Sequence, residues 1–471
     1  MTIRLQDTLS GETRPLVPLT PGRVGVYSCG PTVYGPAHIG NFRSFLFADL
    51  LVRHLRWRGL GVTWVMNITD VDDKIIRGSA ASGETIETLA ERYLAAFLDD
   101  AAALRMTTPD VMPRATRYIE QMATLIETLL DGDHAYRTED GSIFFRISSW
   151  PAYGRLARLD PDGQRVGERV ESDEYGKDDV RDFALWKGPK PDMSGEPSWE
   201  TPIGPGRPGW HIECSAMSMA HLGPSFDIHT GGIDLIFPHH EDEIAQSEAA
   251  TGKQFSRVWS HGAFLLTDGA KMAKRVGNVF TVAGLREAKI SAAAIRHFVF
   301  NTHYRKELNL SDQALEASTE AVRRVGDFAR RLRDPATLEL GGTGGLAHVA
   351  DEAVQRVEEA LFDDLNGPEA LAALFDFIRQ ANAELDRKGG DRAAVERARE
   401  AFDRIDAVLD IVPEAVAADS ELERWIGERL AARREARMRR DFAESDRIRD
   451  ELKGRGVILE DAGGETRWKL A

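Results

Sequence analysis

The sequence predicts an α/β protein: a Rossmann-like parallel sheet with an insertion, followed by an α-helical bundle and a small mixed α/β C-terminal domain. Three observations predict it. Val24 to Ser28 and Val62 to Ile68 are apolar runs of strand length, and between them Phe42, Phe45, Leu46, Leu50, Leu51 and Leu55 recur at helical spacing. Strand, helix, strand is the parallel crossover unit. From Asp133 to Pro208 the chain changes to short apolar segments such as Ser142 to Ile147 among many Gly, Pro and Asp, the character of an insertion. From Ser311 the pattern is helical, with stripes at Leu315, Val322, Val325 and Leu332, at Val354, Val357, Leu361 and Leu365, and at Leu371, Leu374, Phe375 and Ile378.

Taken in order, Gly30, Pro31, Gly35 and Pro36 punctuate the turn after the first strand, and a helix runs from about His38 to Gly59. The second strand delivers Asn67-Ile-Thr-Asp-Val-Asp-Asp-Lys74 to its carboxyl end, where a parallel sheet holds ligands. Ile86, Leu89, Tyr93, Phe97 and Leu104 mark an amphipathic helix, and another spans about Thr116 to Leu130. The sheet is expected to resume at Gly209-Trp-His-Ile-Glu-Cys-Ser215, with a helix over Ala216 to Leu222. Gly-rich links at Gly341 to Gly345 and Lys388 to Gly390 separate helices of the bundle. Asp441-Phe-Ala-Glu444 starts a capped helix, and Val457 to Leu459 with Thr466 to Leu470 form a hairpin around Gly463-Gly464. Residues 1–120 and 208–260 are thus the halves of the sheet domain, 121–207 the connective insertion, 261–310 a loop-bearing region, 311–415 the bundle and 420–471 a terminal module.

With 471 residues the chain exceeds one core. No apolar run approaches the roughly 18 residues that span a bilayer, and no long apolar segment of the secretory kind opens it, so a cytoplasmic protein is expected. Its two cysteines are far apart, which makes a disulfide a poor first guess. A formal charge of -16 argues against bulk electrostatic coating of nucleic acid. Residues 421–456, with eleven Lys or Arg against nine Asp or Glu, are slightly positive in this negative chain: a solvated face or a local track for a polyanion.

Cys29 and Cys214, met singly, are small buried hydrophobes more often than not. Together with His239 and Glu243, four apart on one helical face, they are all zinc-ligand types whose segments end at the same crevice. Without a CxxC pair, plain burial stays open. His38-Ile-Gly-Asn41 is either a polar cap or an anion site made by free N–H groups and the helix dipole. Lys271 and Lys274, in a glycine-flanked cationic loop, are solvated lysines or charges that neutralise a reacting triphosphate.

Cys29-Gly-Pro-Thr-Val-Tyr34 with His38-Ile-Gly-Asn41 resembles the HIGH signature of class I aminoacyl-tRNA synthetases, and Lys271-Met-Ala-Lys-Arg275 resembles their KMSKS loop. Pro208-Gly-Trp-His-Ile-Glu-Cys-Ser-Ala-Met217, Phe226-Asp-Ile-His-Thr-Gly-Gly-Ile-Asp234 and Phe237-Pro-His-His-Glu-Asp-Glu-Ile-Ala-Gln246 narrow the resemblance to the cysteinyl-tRNA synthetase family. It extends through Ile458-Leu-Glu-Asp461 and Thr466-Arg-Trp468.

The resemblance implies a Rossmann catalytic domain, one zinc held by Cys29, Cys214, His239 and Glu243, and L-cysteine placed by Thr69, Trp210 and His229. A closed structural zinc is the competing role for four protein ligands. It implies His38, Asn41, Lys271 and Lys274 as catalytic residues, Gly40, Gly231, Asp234 and Lys274 around ATP with Mg2+, and Arg437, Phe442, Asp446 and Asp461 on the anticodon of tRNA(Cys), in a monomer with no membrane partner. Ala273 and Arg275 stand where serines are typical, and Phe442 where Trp is common. Two other activities share parts of the pattern. A mycothiol-type cysteine ligase lacks the terminal module, and a non-catalytic zinc-containing tRNA-binding paralogue would be expected to lack His38 or the lysines.

Overall fold

The computed structural model describes residues 2–159, 181–189, 196–267, 270–271, 280–338, 344–387, 391–414, 420–462 and 465–470. It divides into two compact units, Met1–Pro413 and Glu414–Ala471.

The first unit is built on a four-stranded parallel sheet in the order Ser256–Gly262, Phe226–Gly232, Arg23–Ser28, Gly61–Met66. The strands are short and apolar because both faces are covered: Val24, Val26 and Tyr27 are all buried. Helix Ile39–Trp57 makes the crossover to Gly61–Met66, burying Phe42, Leu46, Leu50, Leu51 and Leu55. The chain then crosses to the other side of Arg23–Ser28 to lay down Phe226–Gly232. The order therefore reverses between these two strands, and a crevice opens beyond their carboxyl ends. A hairpin, Arg4–Asp7 with Glu12–Pro15, is tied to the outer strand through the Thr8 N–H on Trp259 O at 2.7 Å.

Two readings of the sequence are corrected. Gly209 to Ser215 is not a strand: helix Trp210–Leu222 already starts there, and the strand is Phe226–Gly232. The reason is local. Pro208 and extended Gly209 end the preceding segment, and a Cβ on Gly209 would lie 1.9 Å from Ala184 O, so the chain turns into its helix at that point. The second parallel strand ends at Met66 rather than Ile68. Asn67 to Thr69 peel off, Thr69 bridging Thr32 and Ile68 bridging Arg114.

The insertion carries its own antiparallel sheet, Ala135–Arg137, Ile143–Phe145, Phe183–Lys187 and Arg207–Pro208, packed on helices Ile119–Asp131 and Trp210–Leu222. The bundle comprises Asp312–Arg333, Leu346–Phe362, Gly367–Asp386 and Arg392–Leu409, and buries Leu315, Val322, Val325, Leu332, Val357, Leu361, Leu371 and Leu374. The second unit pairs helices Ser420–Met438 and Phe442–Gly454 with the hairpin Val457–Ala462 and Glu465–Leu470. Among the described residues no helix is long and apolar enough to cross a membrane.

His54, on the crossover helix, is fully buried edge-on to Phe362, with neither ring nitrogen hydrogen-bonded. Burial, reinforced by Arg58, holds its imidazole down to about 3. The unfolded chain takes up a proton below about pH 6.5 while the folded one does not. The stability contribution is therefore complete above that pH and is lost as pH falls toward 3. We expect His54→Leu to gain about 2 kcal/mol over the parent between pH 7 and pH 5, read from urea unfolding at both values. A constant gap would contradict the account.

Candidate active site and metal cluster

Cys29 follows the strand Arg23–Ser28 directly, its N–H donating to Thr230 O at 3.2 Å across the switch point. The next turn is pinned by Gly30, whose N–H donates to Asn67 Oδ1 at 2.8 Å. A Cβ there would sit 1.8 Å from Asn67 O, so only glycine lets the backbone pass so close. Cys214 lies in the second turn of its helix, while His239 and Glu243 approach from a π-turn, Ile236–His240, that runs into helix Glu241–Thr251.

These four side chains converge. Their ligand atoms lie within 4.8 Å of one another. The Cys29 and Cys214 sulfurs are 3.9 Å apart, Cys29 Sγ is 3.7 Å from Glu243 Oε1, and His239 Nε2 is 3.1 Å from the same oxygen. Ligands at 2.0–2.3 Å around a tetrahedral ion stand about 3.3–3.8 Å apart, so the spacing suits one such ion.

The electrostatics agree. Burial works to raise the Glu243 carboxyl, but His229 and His239 bring it to about 2. Burial likewise opposes ionisation of Cys214, yet the Cys29 thiol and His239 bring it to about 6. Burial would lower His239, but Glu243 and Cys214 carry it to about 10. A thiolate and a carboxylate thus face an imidazolium, the arrangement in which a divalent cation replaces a proton.

A second set, Cys29, His229, His240 and Glu243, is also close enough to share an ion. The outer nitrogens decide between them, because a metal-bound imidazole almost always has its other nitrogen hydrogen-bonded. His239 Nδ1 meets His211 Nδ1 at 2.9 Å, and His211 Nε2 meets Asp242 Oδ2 at 3.2 Å. His229 Nδ1 is buried without a partner. The set with both thiols fits better.

Around the cluster, Trp210 stacks on His239 at 4.1 Å, and His229 Nε2 lies 3.0 Å from Glu243 Oε2. Thr69 Oγ1 donates to Glu213 Oε2 at 3.1 Å, one residue before Cys214. Asn67, His211 and Glu213 stand inside segments the sequence marked but were not assigned a role there, and His261 was not marked at all, since each acquires its partner only through tertiary pairing.

His38 is the N-cap of helix Ile39–Trp57 in a reciprocal capping box. Its Nδ1 accepts from Asn41 N at 3.2 Å, and its own N–H donates to Asn41 Oδ1 at 3.0 Å. A neutral ring that accepts at Nδ1 carries its hydrogen at Nε2. The expectation of free N–H groups is corrected in part, because Ile39 N donates to Phe280 O at 2.9 Å. His38 bridges Thr281, so the segment returning from the cationic loop ends against this helix start.

Lys271 lies on strand Ala270–Lys271, paired through Leu266; Ala273, Lys274 and Arg275 lie outside the described residues. Gly231 is the penultimate residue of strand Phe226–Gly232, where a Cβ would meet the His240 ring at 2.6 Å, and Asp234 follows, exposed, in the turn Ile233–Leu235. Gly40 is in the first turn beside His38.

In the second unit, Arg437 is in the last turn of its helix, Phe442 is 64% exposed, and Asp446 pairs with Arg449 at 3.3 Å. Met438, four residues before Phe442 in sequence, is 71% exposed and was not singled out from sequence. The Asp461 side chain lies outside the described residues; its backbone pairs with Thr466.

A parallel sheet with a capped His-Ile-Gly-Asn helix start and a metal-ligand cluster at its switch point defines a class I aminoacyl-tRNA synthetase. Accordingly, the family model "tRNA synthetases class I (C) catalytic domain" matches residues 15–320, and the DALR domain model matches residues 356–412. Mycobacterium tuberculosis methionyl-tRNA synthetase in complex with methionyl-adenylate shares the fold, with a TM-score of 0.61 at 19% identity over 83% of this chain and 90% of that one. The LeuRS of a ternary complex from Agrobacterium radiobacter K84 scores 0.61 at 12% identity over 84% and 85%. Curated relatives named cysteine–tRNA ligase are 45% identical in Solibacter usitatus and 43% in Koribacter versatilis, over 100% of both chains in each comparison. The chain belongs to the cysteine–tRNA ligase family.

Proposed function

We propose that this protein activates L-cysteine with ATP and transfers it to tRNA(Cys), as a cytoplasmic monomer. The carrying observation is the buried convergence of Cys29, Cys214, His239 and Glu243 at the sheet's switch point. Zinc is the ion this donor set suits, and bound there it supplies the soft Lewis acidity that separates a thiol from a hydroxyl.

The chain's own residues do the rest. Trp210 and His229, in contact with His239 and Glu243, wall the pocket in which the substrate side chain is oriented, and Thr69, held by its hydrogen bond to Glu213, completes it. The substrate carboxylate attacks the α-phosphate of Mg2+-ATP, forming the adenylate and releasing pyrophosphate. His38 donates from Nε2 to the phosphate oxygens as charge grows there, Asn41 holds that ring, and Lys271 with Lys274 neutralises the departing pyrophosphate. Gly40, Gly231 and Asp234 seat the nucleoside. The terminal 2′-hydroxyl of the tRNA then takes the acyl group, and selection against serine needs no hydrolytic site because it is made at the sulfur.

Cysteine-dependent ATP–pyrophosphate exchange, with serine as the control, tests the reading. Exchange with neither amino acid, or equally with both, would refute it. Arg437, Phe442, Asp446 and Asp461 are assigned to the anticodon, with Phe442 stacking on a base. A chain ending at Pro413 should keep exchange within about twofold and lose about 10–10²-fold in kcat/KM for tRNA, the effect of the Phe442 stacking contact at about 1–3 kcal/mol. Parallel loss of both activities would remove the assignment.

A further inference from the structure

A cavity of about 320 Å3, a volume that holds a small ligand, is lined by Val33, Ile68, Asp70, Glu87, Arg117 and Trp199 among others. None of these residues belongs to the metal cluster or to the residues placed around ATP, yet the cavity adjoins the cysteine pocket on two sides. On the first, Thr69 pairs with the turn that follows strand Arg23–Ser28, its N–H donating to Pro31 O and its O accepting from Val33 N, each at 3.1 Å. Successive residues of an extended segment face opposite ways. Thr69 turns its hydroxyl to Glu213, beside the metal ligands, while Ile68 and Asp70 line the cavity. On the second, Trp199 N donates to Gly206 O at 2.7 Å and accepts in return from Gly206 N at 3.2 Å, and the chain runs from Gly206 through strand Arg207–Pro208 into the helix that begins at Trp210.

The charged groups of the lining narrow the ligand. Asp70 is engaged, its two oxygens accepting from Thr116 N at 2.9 Å and Thr116 Oγ1 at 2.7 Å, and Arg114 pairs with Glu91. Glu87 and Arg117, both exposed, are left to meet a ligand. Apolar walls, an indole and charges of both signs do not suit a bare anion. They suit a nucleotide: the base stacks on the aromatic ring, a carboxylate accepts from an exocyclic amine, and a guanidinium takes the phosphate. A carboxylate accepting from N4 is the usual way a protein marks cytosine. In a tRNA ending CCA, the terminal adenosine must bring its 2′-hydroxyl to the adenylate, so the cytosine before it is held one nucleotide away from the cysteine pocket. The cavity stands there.

We propose that this cavity binds the penultimate cytosine of the tRNA, with Trp199 stacking on the base, Glu87 accepting from its N4 amine and Arg117 holding its phosphate. This deepens the tRNA reading above and rests on it. It also gives the insertion a part in acyl transfer, because Trp199 belongs to the insertion while Glu87 and Arg117 belong to the sheet domain's first half.

The test uses the full chain, as parent and as Glu87→Gln, Arg117→Gln and Trp199→Ala, with tRNA(Cys) transcripts ending CCA or CUA. Cysteine-dependent pyrophosphate exchange, which needs no tRNA, should stay at the parent value in every variant. The parent should charge the CUA transcript with a kcat/KM about tenfold below that for CCA. Glu87→Gln should lose most of this preference, because an amide can donate to uracil O4 as well as accept from cytosine N4. Trp199→Ala should fall about tenfold with both transcripts, and Arg117→Gln should fall with both alike. If Trp199→Ala does not fold, the exposed Glu87 position carries the result. A parent indifferent to the penultimate base, a Glu87→Gln variant with the parent's preference, or loss of exchange in parallel with charging overturns the proposal. A parent without cysteine-dependent exchange, or one that charges neither transcript, overturns instead the reading on which it rests.

Discussion

Cys214→Ser is expected to lose bound zinc and cysteine-dependent pyrophosphate exchange together, while melting close to the metal-free parent. Serine matches the size of the thiol at a site only 1% exposed, so the helix Trp210–Leu222 has no packing reason to change. What disappears is an anion. The Cys214 thiol sits at about 6 and is a thiolate at neutral pH, whereas a serine hydroxyl is not ionised there. If four ligands share the roughly 10–16 kcal/mol of a structural zinc site, removing one costs about 3–4 kcal/mol, on the order of 10²–10³ in affinity. Metal analysis and exchange on the same preparation check this. A metal-free variant with full exchange would overturn the role given to the cluster; zinc retained without exchange would point to a ligand set that excludes Cys214.

The second large effect is structural. Asp49, fully buried on the crossover helix, accepts from Arg296 Nη1 at 2.8 Å, from Arg53 Nε at 3.0 Å and from Thr107 N at 2.9 Å. Burial alone would raise its carboxyl, but Arg296 and Arg53 bring it below the usual range. Arg296, equally buried, also donates from Nε to Leu409 O at 3.1 Å at the end of the bundle. The pair therefore joins the helix that starts at His38 to the last helix of the first unit.

Asp49→Asn keeps the shape and removes the charge, stranding a buried guanidinium. The expected cost is about 3–5 kcal/mol, read as a drop in the urea midpoint at unchanged slope. Asp49→Leu combined with Arg296→Met should recover most of it, because neither charge then remains to be desolvated. A cost under about 1 kcal/mol for the single variant would show that the pair is not what holds these helices.

The helices were legible because their signal is local. The stripe Phe42, Leu46, Leu50 needs only a period of 3.6, and the Asp441 cap with its hydrogen bond from Glu444 N at 3.1 Å needs only four neighbouring residues. The misread segment, Gly209 to Ser215, failed for a related reason. Its Trp, Ile and Cys suit a buried strand as well as a buried helix, and the deciding contact, Gly209 against Ala184 O, comes from a different sheet. The metal-ligand types were legible in the same limited sense. Cysteine, histidine and glutamate in segments ending at one crevice is a pattern of residue kinds, and the family motifs supplied the pairing.

By itself the sequence determined the residue chemistry: two thiols, a histidine and a carboxylate four apart, a capped helix start, and membership of the cysteine–tRNA ligase family. Tertiary structure alone decided which nitrogen of each imidazole faces the cluster, why His239 rather than His229 has its outer nitrogen engaged, and that Trp199 lines a cavity with Ile68 and Asp70. The division follows from the range of the forces involved. Helical periodicity and capping act between near neighbours along the chain, whereas the hydrogen-bond state of a buried imidazole depends on atoms brought beside it from segments hundreds of residues away.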